Sequence, residues 1–214
     1  MLFSPTYNYL FIHCQKTGGK SIREQFWEIE PQGNLASKMH FGAHTNDDMQ
    51  QRLHAHGNAS YFKAMLHPKI WDGLYRFTVV RNPFDRIISW YWFNRHYRQI
   101  PREMSFDTYL HCRIEKEHYI EENLLQYWKI HDHTGTAMCE FFKFEDGLDN
   151  AVKQASTKIN AQCPAFPIQE QLVRRDHTNI RLDRRHYREV FTPDQRKYWE
   201  EVCRLDFETF GYEW

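Results

Sequence analysis

A short apolar run, Tyr9-Leu-Phe-Ile-His-Cys14, passes directly into Gln15-Lys-Thr-Gly-Gly19 and then into a helical pattern from about Lys20 to Trp27. This succession constrains the fold more than any other feature of the chain. An apolar run of that length without alternation predicts a strand covered on both faces, and a sheet of such strands needs helices on both sides. The succession then recurs. Leu74-Tyr-Arg-Phe-Thr-Val-Val80 predicts a second strand, rich in β-branched and aromatic residues. Arg81-Asn82-Pro83 predicts a turn in which Asn82 caps the next helix and Pro83 takes its first position. That helix runs from about Phe84 to Tyr97, and its apolar residues cover more than one face, so it is expected to be deeply packed. Ser105 or a neighbour caps a further helix, and another is expected across Glu121 to Ile130. Glu140-Phe-Phe-Lys-Phe144 predicts a third strand, with a helix after Asp146. Thr192-Pro193-Asp194-Gln195 reads as a capping box that opens a C-terminal helix to about Phe207. Strand–turn–helix units in series predict an α/β fold, a central, mainly parallel sheet flanked by helices. With 214 residues and no internal repeat, low-complexity tract or Gly/Ser linker, one domain over residues 1–214 is expected.

Charge narrows the function classes. Lys+Arg and Asp+Glu both number 28, which argues against a generic nucleic-acid binder and against an acidic disordered chain. No stretch approaches the roughly 20 apolar residues that span a bilayer, and the N-terminal run is too short for a secretion signal. The five cysteines, at 14, 112, 139, 163 and 203, are widely spaced without a CxxC pair. They are expected to be mostly reduced and buried, in a cytoplasmic protein.

The segment Lys16-Thr17-Gly18-Gly19-Lys20-Ser21 lies just past the first strand and at a helix start, where open α/β sheets place their ligands. Glycines let the backbone curl so that successive N–H groups point at an anion, and the helix N-terminus adds partial positive charge. Lys16 and Lys20 bring full charges, and Thr17 and Ser21 bring hydroxyls. Gly19-Lys20-Ser21 fits the end of the nucleotide-binding pattern GxxxxGK[ST], but Cys14 stands where its first glycine belongs. No convincing apolar strand ends in an aspartate for magnesium. The sheet is therefore P-loop-like, and a nucleotide-hydrolysing reading is weakened. At the second strand end, Arg81 can fork onto a phosphate, and Ser89 lies about two helical turns further on.

Taken together, Phe11-Ile-His-Cys-Gln-Lys-Thr-Gly-Gly-Lys-Ser-Ile22 and Phe77-Thr-Val-Val-Arg-Asn-Pro-Phe-Asp-Arg-Ile-Ile-Ser89 resemble the sulfotransferases that use 3′-phosphoadenosine 5′-phosphosulfate (PAPS). The Golgi-type carbohydrate sulfotransferases and their bacterial relatives look most similar. The resemblance continues at Phe142-Lys-Phe-Glu-Asp-Gly-Leu148, His177-Thr-Asn-Ile-Arg181, Tyr187-Arg-Glu-Val-Phe-Thr-Pro-Asp194 and Asp206-Phe-Glu-Thr-Phe-Gly-Tyr212. It implies that Lys16, Thr17, Gly18, Gly19, Lys20 and Ser21 hold the 5′-phosphosulfate. It also implies that Arg81 and Ser89 bind the 3′-phosphate, and that the stretch around Asn179 and Arg181 covers the adenosine. Many relatives carry Thr or Ser where this chain has Lys20, which leaves Lys16 as the catalytic lysine.

Those residue types suit the chemistry. An acceptor hydroxyl attacks sulfur in line, negative charge builds on the bridging oxygen, and a lysine there stabilises it. PAPS has no β,γ-phosphates to clamp, so no metal is expected. Related carbohydrate sulfotransferases use a Glu or His between the two binding segments as base. His44 sits at the matching place and His40 is its competitor. His54-Ala-His56 and His131-Asp-His133 have ligand chemistry, but no Cys/His spacing matches a zinc site. An Arg-rich stretch from 174 to 188 reads either as a solvated loop or as an anion-facing rim. The expected partner is a hydroxylated acceptor, a glycan or small molecule, rather than nucleic acid. Two other readings stand beside this one: a P-loop nucleotide kinase or phosphotransferase, and a non-catalytic nucleotide- or glycan-binding module.

Overall fold

The computed structural model describes residues 1–29, 57–114, 125–165, 167–168 and 185–214. In chain order the elements are β1 (Leu2–Ser4), β2 (Tyr9–Ile12), α1 (Gly19–Ile29), α2 (Ala59–Met65), α3 (Pro68–Gly73), β3 (Tyr75–Val80) and α4 (Pro83–His96). They continue as α5 (Phe106–Ile114), α6 (Tyr127–Ile130), β4 (Glu140–Lys143), α7 (Leu148–Gln162), α8 (Tyr187–Val190), α9 (Pro193–Val202) and α10 (Arg204–Phe210). A single 3₁₀ turn, Phe144–Asp146, joins β4 to α7. The contacts divide the chain into two compact units. One comprises Met1–Val80 with Lys129–Arg175, the other Arg81–Trp128 with Asp176–Trp214.

The first unit carries the sheet, in the order β1-β2-β3-β4. β2, β3 and β4 run parallel, with Phe11 opposite Phe77 and Val79 opposite Phe142. The expected parallel sheet is therefore present, and it gains an antiparallel edge strand, β1, that the sequence reading did not identify. A segment of that length carries no periodic signal; pairing with β2 makes it a strand. All of β2 is buried, as a strand covered on both faces must be. Successive side chains alternate between the faces. Tyr9 and Phe11 join Phe26, Phe77 and Phe142 in one cluster, closed by Ala151, Ala155 and Ile159 of α7. Leu10 and Ile12 pack on the other side with Ala59, Phe62, Trp71 and Met138. The rings of Phe11 and Phe77 lie 5.2 Å apart and those of Phe26 and Phe77 5.5 Å apart. Each such ring, fully buried, contributes about 1.5–3 kcal/mol.

The second unit is helical and packs around α4, which buries Phe84, Arg86, Ile87, Ile88, Tyr91 and Asn94. The expectation of a deeply packed helix holds. Phe84 sits among aromatic neighbours, with ring centroids at 4.8 Å from Phe191, 4.7 Å from Trp214 and 5.4 Å from Phe207.

Three local expectations change. The helix foreseen across Glu121 to Ile130 is, among the described residues, only Tyr127–Ile130, with Leu125 and Gln126 outside it. The N–H groups of Gln126 and Tyr127 bond a carboxylate of Asp206, and the helix starts there. The C-terminal helix divides at Cys203, whose ψ opens to 17°. Trp199, Cys203, Asp206 and Phe210 are all buried. Their spacing keeps helical periodicity through the break, which is why the pattern reads as one helix. All five cysteines are free, but only Cys14 and Cys203 are buried; Cys112, Cys139 and Cys163 are partly exposed. Among the described residues no helix is long and apolar enough to cross a membrane.

Candidate active site

The first junction follows β2. Its backbone alternates in hand: Lys16 has φ 68° and Gly18 φ 78°, while Thr17 and Gly19 stay on the ordinary negative side. Alternation of this kind turns consecutive N–H groups toward one side and forms an anion-binding concavity. A lysine in the left-handed region costs about 1–2 kcal/mol, and such strain persists only where the surroundings enforce it. The enforcing contacts are visible. Thr78, buried on β3, donates its hydroxyl to the Ile12 carbonyl at 2.6 Å, with Cys14 Sγ 3.4 Å away. Thr17 is fully buried and donates its hydroxyl inward to the Cys14 carbonyl at 2.8 Å. Gly18 lies against the start of α7, and a Cβ there would meet Leu148 Cδ1 at 2.6 Å. Gly19, the first residue of α1, lies under the His13 imidazole, where a Cβ would fall 2.0 Å from His13 Cδ2. The His13 ring in turn stacks on Phe11, with centroids 6.1 Å apart. Both glycines are thus required by close approach, and Gly18 by its φ as well. Lys20 is exposed and Ser21 half-buried, in the first turn of α1, and the Ile22 N–H bonds the Gly18 carbonyl at 3.2 Å.

The second junction follows β3. Asn82 caps α4 by accepting from the Phe84 N–H at 3.0 Å, and Pro83 occupies the first turn, as the sequence predicts. Arg81, half-buried, is the residue immediately after Val80. Its backbone is clamped by the side-chain amide of Gln126. The Arg81 N–H donates to Gln126 Oε1 at 2.8 Å, and Gln126 Nε2 donates back to the Arg81 carbonyl at 2.8 Å. The same Nε2 donates to Asp206 Oδ2 at 3.1 Å, and that carboxylate also accepts the N–H groups of Gln126 at 3.0 Å and Tyr127 at 2.8 Å. Gln126 and Asp206 are wholly buried, and Arg86 is 1% exposed. Burial raises the Asp206 carboxyl above its ordinary range, while the Arg86 charge and the donated N–H groups pull it back. Ser89 is half-buried in the second turn of α4. Sequence reasoning gave no role to Gln126, nor to Asp206 although that residue opens one of the resembling segments, because their partners lie far away along the chain.

The other sequence-predicted residues are distributed as follows. His40, His44, Asn179 and Arg181 lie outside the described residues, as do His54 and His56. Within the Arg-rich stretch, His186 caps α8 by accepting from the Arg188 N–H, and Arg188 bonds the Trp214 carbonyl. His131 pairs in an isolated bridge with Ala137. Among the described residues no three His, Cys, Asp or Glu side chains are placed to share a metal ion.

Two strand–turn–helix junctions of this kind, each following one of the parallel strands β2 and β3, belong to an α/β protein with a central sheet flanked by helices. The sulfotransferase family profile matches residues 1–213, and the chain belongs to that PAPS-dependent family of transferases. Among solved structures it is similar to the crystal structure of mouse sulfotransferase SULT7A1 complexed with PAP. That similarity has a TM-score of 0.53 at 12% identity and covers 94% of this chain and 84% of the mouse chain. At such low identity the likeness is one of fold. Among curated proteins no match is found.

Proposed function

We propose that this chain is a cytoplasmic sulfotransferase that moves the sulfuryl group of PAPS onto a hydroxyl of a carbohydrate. The reading rests above all on one observation: the sign of φ alternates from Lys16 to Gly19, with Lys16 and Gly18 in the left-handed region, directly at the α1 N-terminus. In this reading the N–H groups of residues 16 to 19 receive the 5′-phosphosulfate, Lys20 and Ser21 add donors, and Thr17 holds the loop closed from beneath. Arg81 and Ser89 bind the 3′-phosphate, and Asn179 and Arg181 cover the adenosine.

The acceptor oxygen forms a bond to sulfur as the bond from sulfur to the bridging phosphate oxygen breaks. Electron density then collects on that oxygen, and the Lys16 ammonium stabilises it. The acceptor proton passes to His44, with His40 as the alternative base. The products are a sulfate ester, 3′,5′-adenosine bisphosphate and a protonated imidazole. No step calls for a metal.

The test is transfer of labelled sulfate from PAPS across hydroxylated acceptors, including glycans, phenols, lipids and small metabolites. Transfer to glycans that His44→Ala abolishes at saturating substrates supports the reading. Transfer confined to phenols or lipids overturns the carbohydrate assignment, and unchanged turnover in His44→Ala removes His44 as base.

A further inference from the structure

Arg81 carries its side chain on a backbone that is neither strand nor helix, between the end of β3 and the cap of α4. Its N–H and C=O must therefore be satisfied from elsewhere, because a buried backbone group left unpaired is costly. Gln126 supplies both partners at once, and its amide orientation is dictated chemically: Oε1 faces an N–H, and Nε2 faces a carbonyl and a carboxylate. The two Nε2 hydrogens are thereby used, one on the Arg81 carbonyl and one on Asp206 Oδ2. Asp206 is tied to the backbone N–H groups of Gln126 and Tyr127 and lies in the field of the buried Arg86. None of these three side chains is more than 1% exposed. Polar networks of this kind, buried and well satisfied, hold a single geometry.

We propose that Gln126, backed by Asp206 and Arg86, is a positioning residue that aims Arg81 and so sets the enzyme's selectivity for nucleotides bearing a 3′-phosphate. This rests on the reading of Arg81 as the 3′-phosphate ligand. A guanidinium recognises phosphate through a planar pair of N–H donors, and that recognition depends on direction. Releasing the backbone under it weakens the 3′-phosphate contact while leaving contacts to the rest of the nucleotide in place.

The experiment measures dissociation constants of 3′,5′-adenosine bisphosphate and 5′-AMP by calorimetry on the full chain, for wild type, Arg81→Ala, Gln126→Met and Asp206→Asn. Wild type should prefer the bisphosphate, and Arg81→Ala should abolish the preference. Gln126→Met, similar in size but unable to pair with the Arg81 backbone, should cut the preference about tenfold, the effect of losing a pair of ordinary hydrogen bonds. Its affinity for 5′-AMP should move less than twofold. A merely structural role would weaken both ligands alike and leave their ratio intact, and that result overturns the proposal. If Gln126→Met does not fold, Asp206→Asn serves. It keeps the shape of the carboxylate, loses its charge and one acceptor, and should lower the same ratio severalfold; an unchanged ratio there equally overturns the proposal. Arg81→Ala with the wild-type preference would instead refute the reading of Arg81 and remove the ground of this inference with it.

Discussion

The two junctions solve one local problem, turning a chain from strand to helix, by opposite means. After β2 the turn is held by backbone geometry. Alternating φ at Lys16 and Gly18, a hydroxyl turned inward at Thr17 and two glycines pressed against Leu148 and His13 shape it. After β3 the turn is held by side chains. Asn82 caps the helix, and Gln126 and Asp206 clamp the residue that precedes the cap. The first device suits a ligand read by main-chain N–H groups, which need curvature more than identity. The second suits a ligand read by one side chain, which needs an anchored base.

If that contrast is right, substitutions at the two junctions fail differently. Lys16→Ala has the largest expected effect, a fall in kcat of about 10²–10³ with a smaller change in donor affinity, as for a lost charge at a developing anion. Arg81→Ala should act mainly on donor KM. Steady-state kinetics with PAPS as varied substrate separates the two, and a kcat loss of equal size in both variants would erase the distinction. Next comes Gly19→Ala, whose methyl would collide with the His13 ring. Overpacking of this kind should lower stability by about 1–3 kcal/mol. Denaturant melts of Gly19→Ala, His13→Ala and the pair should show strong coupling, with the double variant recovering part of the loss. Additive losses would mean that the close approach does not set the loop.

Asn82→Ala should cost about 1 kcal/mol, the ordinary value of a helix N-cap, with Asn82→Asp retaining most of it. The smallest expected effect is one of pH. Asp206 has a folded-state pKa raised above its ordinary 3.8 by burial, so the folded chain holds that proton more tightly than the unfolded one. Its contribution is complete below the unfolded value and is lost as pH rises through the folded value. The stability advantage of wild type over Asp206→Asn should therefore narrow with rising pH across that window. Thermal melts of both proteins from acid to neutral pH would show it, and a widening gap would contradict the burial-dominated environment assigned to Asp206.

What could be read ahead of the structure follows from the range of each interaction. The β2–loop–α1 succession was legible because apolar runs, glycines and helix starts act over a few residues. The same holds for the Asn82-Pro83 cap and the Thr192–Gln195 capping box, whose hydrogen bonds join residues two and three apart. Cys14 in place of a first glycine, with no apolar strand ending in a magnesium aspartate, weakened a nucleotide-hydrolysing assignment, and PAPS entered through the resemblance of residues 11–22 and 77–89 to sulfotransferases. By contrast, β1 exists only because Leu2 and Phe3 find Phe11 and Leu10. The break at Cys203 leaves the apolar seam intact and so leaves no trace in periodicity.

The sequence by itself determined where the chain turns and which residue types, Lys16 and Arg81 above all, stand at the turns. Only the tertiary structure decided what holds them there. The bonds from Gln126 to Arg81 and from Asp206 to Gln126 link residues 45 and 80 positions apart. A glutamine or an aspartate carries no local mark of such a partner; folding brings the buried polar groups together because each would otherwise be left without a hydrogen bond.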